Sequence, residues 1–156
     1  MYDHTCCFLG HRTIEDTEDL RKRLAEAIEN LIINKAVDTF LFGSKSQFDV
    51  LCLELVSALK EKYPHVKRIY VRAEFPIISE AYNTYLLKHY DGTYYPEKLC
   101  KAGRAVYVER NLEMIDKSRF CVVYCNATNL YDPSKSGTKI ALNYALKKHR
   151  EIMLFP

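Results

Sequence analysis

An α/β sandwich built around a mostly parallel central sheet is the fold that the order of apolar runs predicts. Short strand-like runs alternate with amphipathic helical stripes, and parallel neighbours need the crossover connections that such helices supply. The runs are almost continuously apolar, as strands covered on both faces must be. With 156 residues, 48% of them hydrophobic and 28% charged, the chain suits one domain over one core, residues 1–156.

Residues 5–9 form the first apolar run, stopped by Gly10, and Leu20, Leu24, Ile28, Leu31 and Ile32 follow at helical spacing. The second unit repeats this order: residues 37–42 run to Gly43, and Phe48, Cys52, Leu55 and Leu59 form a stripe that Pro64 closes. A third strand is expected over 68–73. Residues 74–103 break the rhythm and read as a helical insertion or lid after that strand, with a helix over 79–90 and a turn at Asp91-Gly92. Residues 105–108 restore an apolar run, a helix follows near 109–117, and a strand covers 120–124. A polar loop over 126–136, a helix over 138–148 and a strand over 152–155 complete the pattern.

The formal net charge of +3 is too small to indicate a nucleic-acid surface by itself. No apolar run approaches the ~20 residues of a membrane span, and Met1-Tyr2-Asp3-His4 lacks the basic start of a secretory signal, so a cytoplasmic chain with no membrane partner is expected. The six cysteines then read as reduced core thiols. No CxxC occurs, Cys6-Cys7 lie inside a strand-like run, and the spacing of Cys121 and Cys125 is unlike that of zinc ligands. Neither a metal nor a cofactor is expected.

In parallel α/β sheets ligands bind beyond the carboxyl ends of the strands. Collecting the segments that follow the predicted strands gives Gly10-His11-Arg12, then Gly43-Ser44-Lys45-Ser46 with Asp49, then Arg72-Ala73-Glu74. Later segments add Glu109-Arg110-Asn111, the stretch from Asn126 to Asn129, and Lys135-Ser136-Gly137-Thr138-Lys139. Two of these are glycine turns that feed helices with hydroxyls and a lysine nearby, the arrangement that phosphate recognition requires. The alternative is that Ser46 and Thr138 simply cap their helices. Arg110 falls at an expected helix start, where the dipole disfavours a cation, which implies an acidic partner or ligand. The sequence contains no GxxxxGK[ST], GxGxxG or GxSxG, and His4, His65, His89 and His149 share no motif, so P-loop, dinucleotide-fingerprint and serine-triad chemistry lack their signatures. Tyr82, Tyr85, Tyr90, Tyr94 and Tyr95 either stack a base or pack the insertion against the core.

Taken in order, Cys7-Phe8-Leu9-Gly10-His11-Arg12, Phe42-Gly43-Ser44 with Phe48-Asp49, Glu109-Arg110-Asn111 with Met114, and Ser136-Gly137-Thr138 make the chain similar to the SLOG superfamily. That group of Rossmann-like proteins is named for its Smf/DprA and Lonely Guy (LOG) branches, and the chain resembles its small bacterial YpsA-like members over most of its length. The resemblance implies a Rossmann-like three-layer sandwich. For the LOG branch it implies N-glycosidase (phosphoribohydrolase) activity on nucleoside 5′-monophosphates, with an arginine at Arg110 and a glutamate at a position occupied here by Ala141. Pro-Gly-Gly is also absent before Ser136-Gly137-Thr138. Glycosidic cleavage ordinarily uses a carboxylate, for which Glu109, Glu74 and Asp49 are the candidates. The DprA-like branch implies single-stranded DNA binding, for which the chain lacks a basic run outside residues 147–150.

These observations together lead to the expectation of a nucleotide or nucleotide-derived ligand, held as by a sensor or regulatory module without efficient turnover. Gly10, His11, Arg12, Gly43, Ser44, Lys45, Ser46, Asp49, Arg110, Asn111, Ser136, Gly137 and Thr138 form the expected binding site, with Arg110 and Glu109 as the catalytic candidates if turnover occurs. Asp49 and Asn111 are expected to orient ribose or neighbouring loops. SLOG relatives are commonly dimeric, so the resemblance also implies a homodimer.

Overall fold

A computed structural model describes residues 2–126 and 137–156. The chain runs β1 (Thr5–Gly10), α1 (Glu18–Asn34), β2 (Thr39–Phe42), α2 (Gln47–Lys62), β3 (Lys67–Val71), α3 (Glu80–Leu86) and β4 (Gly92–Tyr94). Two 3-10 turns, Glu97–Lys101 and Gly103–Ala105, lead into α4 (Val106–Asp116), β5 (Phe120–Tyr124), α5 (Gly137–Lys147) and β6 (Glu151–Phe155). The six strands form one sheet in the order β4-β3-β2-β1-β5-β6, and every neighbouring pair is parallel.

Alternation along the strands separates two apolar layers. Cys6 and Phe8 of β1, with Phe120, Val122 and Tyr124 of β5, pack against Leu20, Leu24 and Ile28 of α1 and Phe48 and Leu51 of α2. The intervening residues Cys7, Leu9, Cys121 and Val123 face Met114 and Ile115 of α4 and Ala141, Leu142 and Ala145 of α5. All five predicted contacts of the first helical stripe are buried. The second stripe is rotated: Leu51 and Val56 are buried, while Leu55 and Leu59 lie at the margin. Among the described residues, no helix is long and apolar enough to cross a membrane.

Two segments differ from the pattern expected of them. Residues 74–103 do carry a helix, shorter than expected and capped by Ser79, but Asp91-Gly92 is the entry to an edge strand rather than a free turn. Asp91 donates its amide to the Arg68 carbonyl at 2.7 Å and takes the Arg68 side chain at 3.0 Å, which sets β4 in register with β3. Gly-Thr-Tyr is too short to show an apolar period. Residues 105–108 belong almost wholly to α4, which starts at Val106, so the apolar run there is the first turn of a helix.

The chain lays down β1 to β4 outward in one direction, then returns to place β5 on the free side of β1. Strand order therefore reverses between β1 and β5. Their paired ends, Gly10 and Tyr124, border the crevice where this topology leaves room for a ligand.

Candidate functional site

Two glycines shape the crevice by what they allow to approach. A β-carbon on Gly10 would lie 2.3 to 2.6 Å from Phe48, so only glycine lets the start of α2 pack on the end of β1. At Gly43 the added carbon would meet Met114 Sδ at 2.5 Å and Arg110 Nε at 2.7 Å. Gly43 therefore makes the space in which the Arg110 side chain lies.

The turn from β2 into α2 satisfies most of its own amides. Asp49 Oδ2 accepts from the backbone N–H of Gly43 at 3.2 Å and of Ser44 at 2.9 Å. The Ser46 amide donates to Ser44 Oγ, the Gln47 amide to the Arg12 carbonyl, and the Asp49 amide to Ser46 Oγ at 3.1 Å. Ser46 is thus the N-cap of α2. The amides of Gly43, Ser44, Ser46, Gln47 and Asp49 are already occupied, so few of this turn's backbone donors are left for an anion and side chains gain weight. Burial raises the Asp49 carboxyl to about 6, against the opposing pull of the Ser44 and Gly43 amides and of Arg110.

Arg110 is the central cation. It stands in the second turn of α4 rather than at its start, so the dipole argument for an acidic partner does not apply. Burial supplies a stronger reason: Arg110 is only 6% exposed. Its Nε and Nη2 donate to Asn111 Oδ1 at 3.3 Å, and its guanidinium lies 5.6 Å from the Tyr107 ring centroid. Desolvation lowers its pKa, while the fields of Asp49, Tyr70 and Glu74 act in the other direction. Among the described residues, no carboxylate pairs directly with Arg110, Arg12, Lys45 or Arg72.

The groove above these residues has two adjoining lobes. The larger, about 490 Å³, is walled by Tyr70, Phe75, Tyr82 and Tyr107, with Arg12, Lys45, Arg72 and Glu74 around it. The smaller, about 260 Å³, lies over the β1/β5 reversal and is lined by Gly10, His11, Asp49, Asn111, Gly137 and Thr138. Arg12, Gly43, Ser44, Ser46 and Arg110 line both lobes. Twelve expected binding residues are thus gathered in one groove, while Ser136 lies outside the described residues. Thr138 is buried in the first turn of α5. His11 spans the reversal: its Nε2 accepts the Asn126 amide at 2.9 Å, and partial burial holds its pKa below the usual value.

Glu109 lines neither lobe, and its charge is felt instead by Tyr144 on α5. Ala141, the glutamate position implied by the LOG resemblance, is 1% exposed and packed in the α4/α5 core layer. Asn111 is engaged by Arg110, and Asp49 by two amides, so both order the site from within. Of the tyrosines in residues 74–103, Tyr82 reaches the groove. Tyr90 packs on Phe42 and Tyr70, Tyr94 donates to Glu113, and Tyr85 stacks on Tyr82.

Arg72 and the aromatic wall, apart from Tyr82 as a base-stacking candidate, were not among the expected binding residues. Arg72 and Glu74 carry the signal of lying at the carboxyl end of a predicted strand, whereas Tyr70 lies inside that strand and Tyr107 inside an apolar run. Arg72 is buried and secures the loop after β3: its Nε donates to the Phe75 carbonyl at 3.2 Å, Nη1 to Thr93 Oγ1 at 3.2 Å and Nη2 to the Pro76 carbonyl at 3.4 Å. Phe75 itself has a φ of 60°, a left-handed conformation that costs a bulky side chain free energy. Among the described residues, no group of three His, Cys, Asp or Glu side chains is placed to hold a metal ion.

No family model matches the chain. It is 29% identical over 148 residues to the uncharacterized SPbeta prophage-derived protein YoqJ of Bacillus subtilis strain 168, a similarity covering 83% of this chain and 82% of that one.

Proposed function

We propose that the chain binds a nucleotide or nucleotide-derived small molecule in this groove, as a sensor or regulatory module, without efficient turnover. The observation that carries the reading is Arg110: a buried guanidinium facing a cavity with no carboxylate directly paired to it among the described residues. A buried charge without a direct ion-pair partner is costly, and the field of Asp49 offsets only part of that cost, so an anionic ligand is favoured. Arg12 and Lys45 add positive charge beside it, and Tyr70, Tyr82, Phe75 and Tyr107 offer a planar base apolar faces. A lobe of about 490 Å³ lies within the usual range for small-molecule sites. The resemblance to the SLOG superfamily supports the same class of ligand.

The absence of a carboxylate at Ala141, which is packed in the α4/α5 core layer, favours binding over hydrolysis. Ligand-observed proton NMR of AMP, NAD and ADP-ribose tests both at once. Line broadening without new base resonances is the expected result. Adenine accumulating at catalytic protein concentration would replace this reading with an N-glycosidase, and no broadening by any of the three would remove the nucleotide reading.

A further inference from the structure

The groove contains a residue that an anion site alone does not explain. Glu74 lines the large lobe together with Arg12, Lys45, Arg72 and Arg110, and its negative charge is felt at Arg110. A carboxylate there repels a phosphate and lowers the affinity that the cations confer. It is nevertheless held in place with some care. Tyr107, on the first turn of α4, donates its hydroxyl to Glu74 Oε1. On the other side, the Arg72 guanidinium fixes the two carbonyls that follow, those of Phe75 and Pro76, and Phe75 is kept in a left-handed conformation. A buried cation and a strained residue are thus committed to one loop, the pattern expected where a side chain must be presented to a ligand.

We propose that Glu74 is a specificity-determining residue of this groove, accepting a hydrogen bond from a sugar hydroxyl of a ribonucleotide whose phosphate lies on Arg110. The proposal rests on the nucleotide reading above and narrows it. A carboxylate oxygen can only accept, so its partner must carry donors. Oε1 already receives Tyr107, which leaves Oε2 and the second lone pair of Oε1 for a ligand. The neighbour of a 5′-phosphate is the sugar, and the aromatic faces of Phe75 and Tyr82, which line the same lobe as Glu74, suit the base. Hydroxyl recognition by a charged acceptor gives discrimination that shape alone does not, because the analogue lacking the hydroxyl leaves the acceptor unpaired.

The test is calorimetric titration of wild type, Glu74→Met and Arg110→Met with AMP, 2′-deoxy-AMP, 3′-deoxy-AMP, IMP and inorganic phosphate. Wild type is expected to bind AMP at least about tenfold more tightly than one of the two deoxy analogues. In E74M, which has no acceptor at that position, the preference should shrink to within about twofold, with affinity for inorganic phosphate unchanged or higher because a repelling charge is gone. Equal binding of AMP and both deoxy analogues by wild type, or a preference that survives in E74M, overturns the assignment of Glu74. Discrimination against IMP with none against the deoxy analogues also overturns it, since the donor would then be a base amine. In those cases the nucleotide reading stands as long as AMP binds wild type and not R110M. Failure of AMP and phosphate alike to bind wild type overturns both. Glu74 is exposed, so E74M should melt as wild type does.

Discussion

Asp49 Oδ2 accepts the Ser44 amide at 2.9 Å, and this one bond changes the meaning of the turn that carries it. A glycine turn entering a helix usually offers free amides to a phosphate. Here a buried carboxylate already occupies two of them, those of Gly43 and Ser44, so the turn is a mount for Lys45 and a wall for Arg110. Affinity for an anion then depends largely on side-chain cations, which mutagenesis can remove one at a time.

Arg110→Met should lower affinity for AMP at least about tenfold, or ~1.4 kcal/mol, while the ligand-free protein melts at the same or a higher temperature. Methionine retains most of the buried stem and removes the charge. Titration paired with thermal melting checks this, and a wild-type dissociation constant would take Arg110 out of the site.

The Asp49 carboxyl sits at about 6 in the folded chain, against about 3.9 in an unfolded one. The native state thus holds this proton more tightly. Its contribution to stability is full below pH ~4 and is lost as pH rises through ~6. Relative to Asp49→Asn, wild type should lose on the order of 2 kcal/mol between pH 4 and 7. Urea unfolding of the two proteins across that interval reads the difference, and parallel curves would place the titration elsewhere.

Gly10→Ala should destabilise the fold by about 1–3 kcal/mol, because the added carbon meets the Phe48 ring. Trimming the ring in Gly10→Ala/Phe48→Leu should recover part of what the two single changes lose together. Additive losses would show that the two residues do not press on each other.

Arg72→Lys should loosen the loop after β3, since an ammonium cannot hold the Phe75 carbonyl, the Pro76 carbonyl and Thr93 Oγ1 in one plane. Faster amide exchange over residues 74–78, together with weaker AMP binding, is the expected readout. Unchanged exchange would mean that the loop is held by other contacts.

Of the six cysteines, Cys100 is exposed and should react first with a thiol reagent, with the half-buried Cys125 slower. Cys6, Cys7, Cys52 and Cys121 are buried and should react only on unfolding, as burial also raises the thiols of Cys6, Cys7 and Cys52. Modification of the native protein followed by peptide mapping distinguishes the three groups.

Most of the fold is legible in the chain because burial imposes a period. The strands at residues 5–10 and 120–124, the stripe from Leu20 to Ile32 and the glycines after the first two strands all carry local signals of that kind. What lacked such a signal was misplaced: a three-residue edge strand at Gly92, and the first turn of α4, whose Val-Tyr-Val reads equally well as strand.

The same division runs through the site. Local sequence determined which polar segments follow strands, and parallel topology requires those segments to meet at one edge. Only tertiary structure decided what each residue does there. Asp49 turns inward to the Ser44 amide, Asn111 turns to Arg110, Glu109 turns away, and Tyr70, Phe75, Tyr82 and Tyr107 converge from different elements into one wall. The reason is physical: period and turn chemistry act between near neighbours in sequence, whereas pairing, burial and the direction of a side chain are settled by contacts between residues far apart in the chain.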